Sequence, residues 1–239
     1  MLWYKTWLET RSRFLISLFN IVALCSFNVY HGNEGAMPYT KIEYYYIVLH
    51  GGHTMLCMLW VLAVTLLAMG GLLREKAVGT APFTLALPVS RARLVAVRIS
   101  MVLGQAMVLV IVPWIAMFLI GTWNGKTHSL QQAFFHMVLL AGGGVALLGT
   151  ALLVSSLVEG EYTAPLVTFG VLIGISVVLS SSSSLHVYSP IEFIRGTEFL
   201  DRHTRLLTGP IPWLRIAANI LVGGLLLTLS AKSVQARDF

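Results

Sequence analysis

Three side chains with metal-ligating chemistry stand close together in the sequence: His50, His53 and Cys57. At spacings of i, i+3 and i+7 they share one face of a helix. Imidazole and thiolate are borderline and soft ligands, so such a face could take copper or zinc. No acid partner lies nearby, and no second cluster of that type completes or orients a site. The plainer reading is a polar turn leading into a core helix, so no metal is assigned and the three residues stay a minor candidate. A second stretch carries charge instead of ligands. Residues 74–98 hold Arg74, Lys76, Arg91, Arg93 and Arg98 against a single acid, Glu75. Hydrolytic motifs are missing: there is no His-Glu-x-x-His, no Gly-x-Ser-x-Gly and no pair of aspartates inside an apolar run. The run Gly142-Gly143-Gly144 is not a phosphate loop, because no Lys-Ser/Thr follows it and it lies in an apolar segment. Catalysis by this chain is therefore not expected.

The elements that must position these residues are membrane helices. The chain has 239 residues, 56% of them hydrophobic and 11% charged, with a mean hydropathy of +0.79. A soluble domain carries about 25% charged residues. The net charge of +6 does not form a basic patch on a soluble domain. It flanks apolar runs, which argues for orientation in a bilayer and against nucleic acid. Both cysteines, Cys25 and Cys57, lie in apolar segments, which argues against a disulfide framework. The N-terminus lacks a compact apolar core followed by a small-residue cleavage site, so the first span itself should carry the chain to the membrane.

Taken in order, residues 1–13 set Trp3, Trp7 and Leu8 among Lys5, Glu9, Arg11 and Arg13, and predict an interfacial helix along the cytoplasmic surface. The other reading is a polar start to the first span, Phe14 to Val29. Further spans are expected at Ile47 to Leu73, Leu94 to Ile120, Ala133 to Val158, Ala164 to Leu179 and Leu214 to Ala231. Pro113 inside the third permits a kink. The glycines of the fourth permit close helix approach. The acidic turn Glu159–Glu161 is a second, smaller candidate contact for a partner, or a solvated turn. The external loop, residues 185–213, predicts one or two short amphipathic helices lying at the outer surface. The fold class is thus an all-α membrane protein: one domain of six transmembrane helices with both termini inside. Ten basic residues fall on the inner segments and six on the outer ones, and that bias supports the orientation.

Within this frame the 74–93 loop has an inner order of its own. Glu75 is followed by Gly79-Thr80, then Leu85, Leu87 and Pro88, then Ser90-Arg91. This order resembles the first cytoplasmic loop of ABC-2 type transporter permeases, and the resemblance extends over the chain through the amphipathic N-terminus, the six spans and the large outer region. Arg98 stands where the family often has lysine, which keeps the charge. The resemblance implies a type V, ABCG-like exporter fold in the cell membrane. Two permease copies, or two related ones, would pair with separate cytosolic ATPase subunits. Those subunits would hold ATP and Mg, because this chain has no nucleotide-binding motif and binds no cofactor itself. Arg74, Glu75, Lys76, Gly79, Thr80, Phe83, Leu87, Pro88 and Arg91 would then form the docking loop, with its coupling helix seated in a groove of the ATPase. From the residues alone, a plain topological anchor stands equally open. Thr54, Met58 and Thr65 of the second span and Thr168, Leu172 and Ser176 of the fifth would line the substrate path. The absence of buried charged residues in the spans favours a lipid, an amphipathic drug or a peptide as cargo. A different class of function, a non-transporting anchor that recruits an ATPase for signalling or envelope remodelling, shares every one of these features.

Overall fold

The computed structural model describes residues 2–31, 51–69, 79, 89–123, 129–158, 163–181, 189–201, 203 and 206–236. Among them are seven α-helices: α1 (Leu2–His31), α2 (Gly51–Ala68), α3 (Arg91–Trp123), α4 (Leu130–Leu157), α5 (Thr163–Ser180), α6 (Pro190–Arg195) and α7 (Trp213–Gln235). A 3-10 turn, Thr197–Phe199, follows α6. Five of the helices, α1, α2, α3, α4 and α7, are long and apolar enough to cross a membrane. The protein is a multi-pass helical membrane protein. Six crossings were expected. The fifth expected span is present as α5, an apolar helix of 18 residues, as long as α2 but outside those five. At 1.5 Å per residue it is about 27 Å long, against a hydrocarbon core of about 30 Å.

The first 31 residues depart from expectation. The interfacial helix and the first span are a single uninterrupted helix of 30 residues, about 45 Å long. The reason lies in the sequence. Leu2 to His31 contains neither proline nor glycine, so nothing breaks the backbone ladder between the polar start and the apolar remainder. One stripe of this helix is buried throughout: Thr6, Thr10, Phe14, Ser17, Ile21, Cys25 and Val29. Those intervals of three and four follow the helical period. The hydroxyls of Thr6 and Thr10 bond back to the carbonyls of Leu2 and Thr6, which lets two polar residues sit in the stripe.

Side-chain contacts fix the direction of each helix. Thr10 meets Gln105 at 2.8 Å, while Phe27 and Tyr30 lie beside Leu119 and Trp123, so α1 and α3 run parallel. Arg13 reaches Met69 and Asn28 lies by Gly52, so α2 runs against α1. His53 packs on His136, Trp60 on Gly144, and Ser155 bonds Ala68; α2 and α4 are therefore parallel. Ile216 sits over Gly142, Gly223 over Val145, and Ser230 bonds Leu152, so α7 follows the same direction. One end of the bundle thus gathers the start of α1, the end of α2, the start of α3 and the end of α7. With them come Lys5, Arg11, Arg13, Arg91, Arg93, Arg98 and Lys232.

The glycine run of α4 explains how these helices pack. A Cβ on Gly142 would strike Ile216 of α7, one on Gly143 would strike Phe193 and Ile194 of α6, and one on Gly144 would strike the ring of Trp60 of α2. Three consecutive residues thus turn three faces to three different elements. Two turns on, a Cβ on Gly149 would lie 2.8 Å from the carbonyl oxygen of Gly223. In lipid, where apolar burial gives little drive to association, such backbone proximity supplies the van der Waals contact that holds helices together. Trp60 is 2% exposed and donates its indole N–H to the Ala106 carbonyl of α3 at 3.0 Å, satisfying the polar atom of an otherwise apolar core residue.

The segment before α7 forms two short helical pieces at one end of the bundle, with its apolar side packed inward. Phe193 and Ile194 are 2% and 0% exposed, pressed onto Gly143. Gln132 at the start of α4 clips the returning chain at two points, donating to the Leu207 carbonyl and accepting from its N–H, both at 2.9 Å. Arg215 lies over the rings of Phe193 and Phe199 and pairs with Glu198. A side chain at position 143 would collide with Phe193 and Ile194 and disturb this seat.

Candidate functional site

The charged connection that opens α3 is the part of the chain with the clearest functional chemistry, and its two ends are held in different ways. At its start, α2 finishes at Ala68, leaving carbonyls with no partner in their own helix. Two arginines from two other helices supply them. Arg13 of α1 donates to Met69 O at 2.8 Å and toward Leu66 O at 3.4 Å. Arg98 of α3 donates to Met69 O at 2.7 Å and toward Ala68 O at 3.4 Å. Ser155 of α4 donates to Ala68 O at 2.7 Å. Cations at the negative end of a helix dipole are favourable in charge as well as in hydrogen bonding. Glu9 of α1 lies 3.7 Å from Arg98 and 3.7 Å from Lys5, which ties the N-terminal turns of α1 to the start of α3. At the other end, Ser90 opens α3: its hydroxyl oxygen accepts from the Arg93 N–H at 3.3 Å and its carbonyl from Arg93 and Leu94. A serine at that position is the expected N-cap.

Four helices therefore meet on the last carbonyls of α2. This arrangement escaped sequence reasoning except for the presence of Arg98 in the basic stretch. The sequence pattern places Arg13 on a surface helix and does not mark Ser155. The available signal was the placement of arginines just inside the ends of apolar runs, where a long side chain reaches a neighbouring helix terminus.

Of the expected docking residues, Arg74, Glu75, Lys76, Thr80, Phe83, Leu87 and Pro88 lie outside the described residues, as do Glu159–Glu161 and His50. Gly79 has a positive φ of 78°, with open space where a side chain would stand. That backbone conformation favours glycine over any residue with a Cβ. Arg91 is the first residue of α3, half-buried. The six expected path residues are spread over the burial scale. Thr65, Thr168 and Leu172 are buried at 2%, 2% and 4% exposure, whereas Met58 is 49% exposed; Thr54 and Ser176 are half-buried. Thr65 and Thr168 bond carbonyls of their own helices, Leu62 and Ala164, each at 2.7 Å.

The sequence matches no protein-family model and no curated protein. The site accordingly stands on its own geometry.

At the opposite end of the bundle the other chemically distinctive cluster forms. His53, Cys57, Trp114 and His136 are all at least 97% buried. His53 Nε2 lies 2.8 Å from the Ile194 carbonyl of α6. A carbonyl only accepts, so this nitrogen carries the proton. Cys57 Sγ is 3.3 Å from the same nitrogen and 3.5 Å from the same carbonyl. His53 and Cys57 do share a face, but both are directed at one backbone oxygen. Among the described residues, no group of three or more His, Cys, Asp or Glu side chains is arranged to hold a metal ion. His136 arrives from α4, 83 positions away in the chain, and no local pattern marks it.

Proposed function

We propose that this chain is the membrane subunit of an ATP-driven exporter, a permease that moves a lipid, an amphipathic drug or a peptide and takes its power from separate ATPase subunits docked on the 74–93 connection. The observation that carries the reading is the convergence of Arg13, Arg98 and Ser155 on the carbonyls of Leu66, Ala68 and Met69. A partner pushing on the connection would act on four helices together, which is what coupling a cytosolic motion to a transmembrane rearrangement needs. The inner order of the connection, acid, Gly-Thr, apolar helix, Pro-Val-Ser-Arg, supports the same reading by its resemblance to ABC-2 type permeases.

Six crossings fit this proposal, and the directions of the helices support them. Since α4 and α7 run parallel, the chain between them has to return across the thickness of the bundle, and α5 lies in that interval. An even number of crossings sets both termini on one side. The basic residues gathered at that end support reading it as the cytoplasmic side. The helix α5 also bears a Gly170-x-x-x-Gly174 pair with open space at both positions, surrounded by exposed Leu166, Ile173, Val177 and Val178. A small-residue pair on an apolar face is suited to close contact with another helix in lipid, here a second permease copy. Replacing both glycines by leucine is expected to convert a dimer to a monomer by cross-linking in native membranes while leaving the monomer folded.

The proposal is tested by co-purifying the chain with its ATPase and measuring ATP hydrolysis in proteoliposomes over a panel of lipids, drugs and peptides. Substrate-stimulated hydrolysis supports export. A stable complex whose hydrolysis no candidate stimulates points to an anchor that recruits an ATPase. Gly79→Trp, which sets a bulky side chain at a left-handed backbone position, is expected to abolish both association and stimulation. Normal transport by that variant in an intact complex would overturn the docking assignment.

A further inference from the structure

The side of α1 turned away from its buried stripe carries an arginine of its own. Tyr4, Leu8, Arg11, Leu15 and Phe19 are all exposed, and intervals of three and four keep them on one face. Arg11 is the charged member, with a leucine about one turn to either side. It differs from the other cations of this helix. Lys5 pairs with Glu9, and Arg13 is committed to the carbonyls of Leu66 and Met69. Among the described residues, no acid pairs with Arg11. Glu9, the single acid of α1, engages Lys5 and Arg98. Standing two residues from Arg11, it projects from nearly the opposite side of the helix.

The length of the helix sets the depth of this arginine. His31, where the apolar run of α1 ends, stands 20 residues beyond Arg11. That stretch of helix rises about 30 Å, the thickness of the hydrocarbon core. A core that ends at His31 therefore begins at Arg11. The guanidinium then lies at the level of the lipid phosphates, and Leu15 and Phe19 face acyl chains. Tyr4 and the exposed Trp3 lie among the headgroups, where amphipathic rings are favoured. A guanidinium meets phosphate oxygens with both charge and a planar fork of donors. A zwitterionic headgroup brings a cation of its own, so the net attraction favours an anionic one. A second copy packed on the same face about a two-fold axis would set one Arg11 against the other, which argues for lipid as the occupant. We propose that Arg11 and the apolar stripe beside it form a binding site for an anionic phospholipid. Arg11 takes the phosphate, and the surface of Leu15 and Phe19 takes the adjoining acyl chain.

The site does not depend on the transport reading and is tested on the full-length chain in detergent. The protein is titrated with phosphatidylglycerol or with phosphatidylcholine of the same acyl chains, and bound lipid is counted by native mass spectrometry. Phosphatidylglycerol should be retained in preference to phosphatidylcholine. Arg11→Gln should weaken its retention by about fivefold, the worth of one arginine at an anionic surface, and leave phosphatidylcholine unchanged. Arg11→Lys, which keeps the charge, should lose less. Arg93 is also exposed and lies at the same end of the bundle, on α3. Arg93→Gln removes the same charge there and should have a much smaller effect. Equal losses in Arg11→Gln and Arg93→Gln would show diffuse attraction to basic charge and overturn the proposal. So would equal retention of the two lipids by the wild type, retention undiminished in Arg11→Gln, or a protein dimer broken by Arg11→Gln in place of a lipid adduct.

Discussion

A single methyl group at position 223 is expected to separate two helices. In a Gly223→Ala variant the new Cβ would lie 2.6 Å from the carbonyl oxygen of Val145 and 2.7 Å from its carbonyl carbon. These are backbone atoms, so no side chain can swing away. Either α7 moves off α4 or both helices bend. The displaced seam would carry Gly149 with it, since that glycine already faces Gly223 O at 2.8 Å from its would-be Cβ. Overpacking of this kind costs about 1–3 kcal/mol and sometimes more, and alanine's better helix propensity recovers at most about 1 kcal/mol of it. The neighbouring Gly224 has nothing within 4 Å, so Gly224→Ala should be neutral or stabilising. The pair is read by thermal unfolding in detergent with monodispersity as a second measure. Equal melting temperatures for the two variants would remove the glycine seam as the element that holds α7 in place.

The second large effect is expected at the convergence on α2. Arg13→Met with Arg98→Met keeps the apolar stems of both side chains but leaves the carbonyl of Met69 without either donor and Glu9 without its α3 partner. A hydrogen bond from a charged group contributes about 1.5–3 kcal/mol. The single variants should each be mild, because the other arginine remains. The double variant should cost more than the sum of the two, since the carbonyl is then abandoned. Arg98→Lys should fall between, as an ammonium retains the charge but not the planar fork that bridges two carbonyls. Hydrogen exchange at residues 62–69 reports the local opening. If the chain docks an ATPase as proposed, the same double variant should leave docking intact and lose substrate stimulation. If its behaviour matched that of either single variant, the shared-acceptor geometry would be refuted.

How much of this was legible in the sequence can be judged residue by residue. The buried stripe from Thr6 to Val29 follows intervals that the sequence displays openly, and so does the packing use of Gly142–Gly144. The identity of the three partners does not, because which elements approach which glycine depends on helix order in space. The break expected after Arg13 came from weighing a change in polarity over backbone chemistry. Polarity changes where a helix sits, whereas only residues such as proline and glycine readily interrupt it. The outer segment was assigned to the surface because its charges are conspicuous, yet those charges, Glu192 with Arg195 and Glu198 with Arg215, are paired among themselves and leave Phe193 and Ile194 to turn inward. His53 was noticed for its local neighbours; its true companion, His136, is supplied by the parallel packing of α2 and α4.

That parallel arrangement also bears on how the protein is made. The groove of α4 that receives Ile216, Gly223 and Ser230 is complete long before its occupant, since α7 begins 56 residues after α4 ends. During synthesis Gly142 and Gly149 are therefore without their α7 partners until that helix has been made. A chain halted before Trp213 would display an unfilled groove at those two glycines, whereas Gly144 would already be covered by Trp60 of α2.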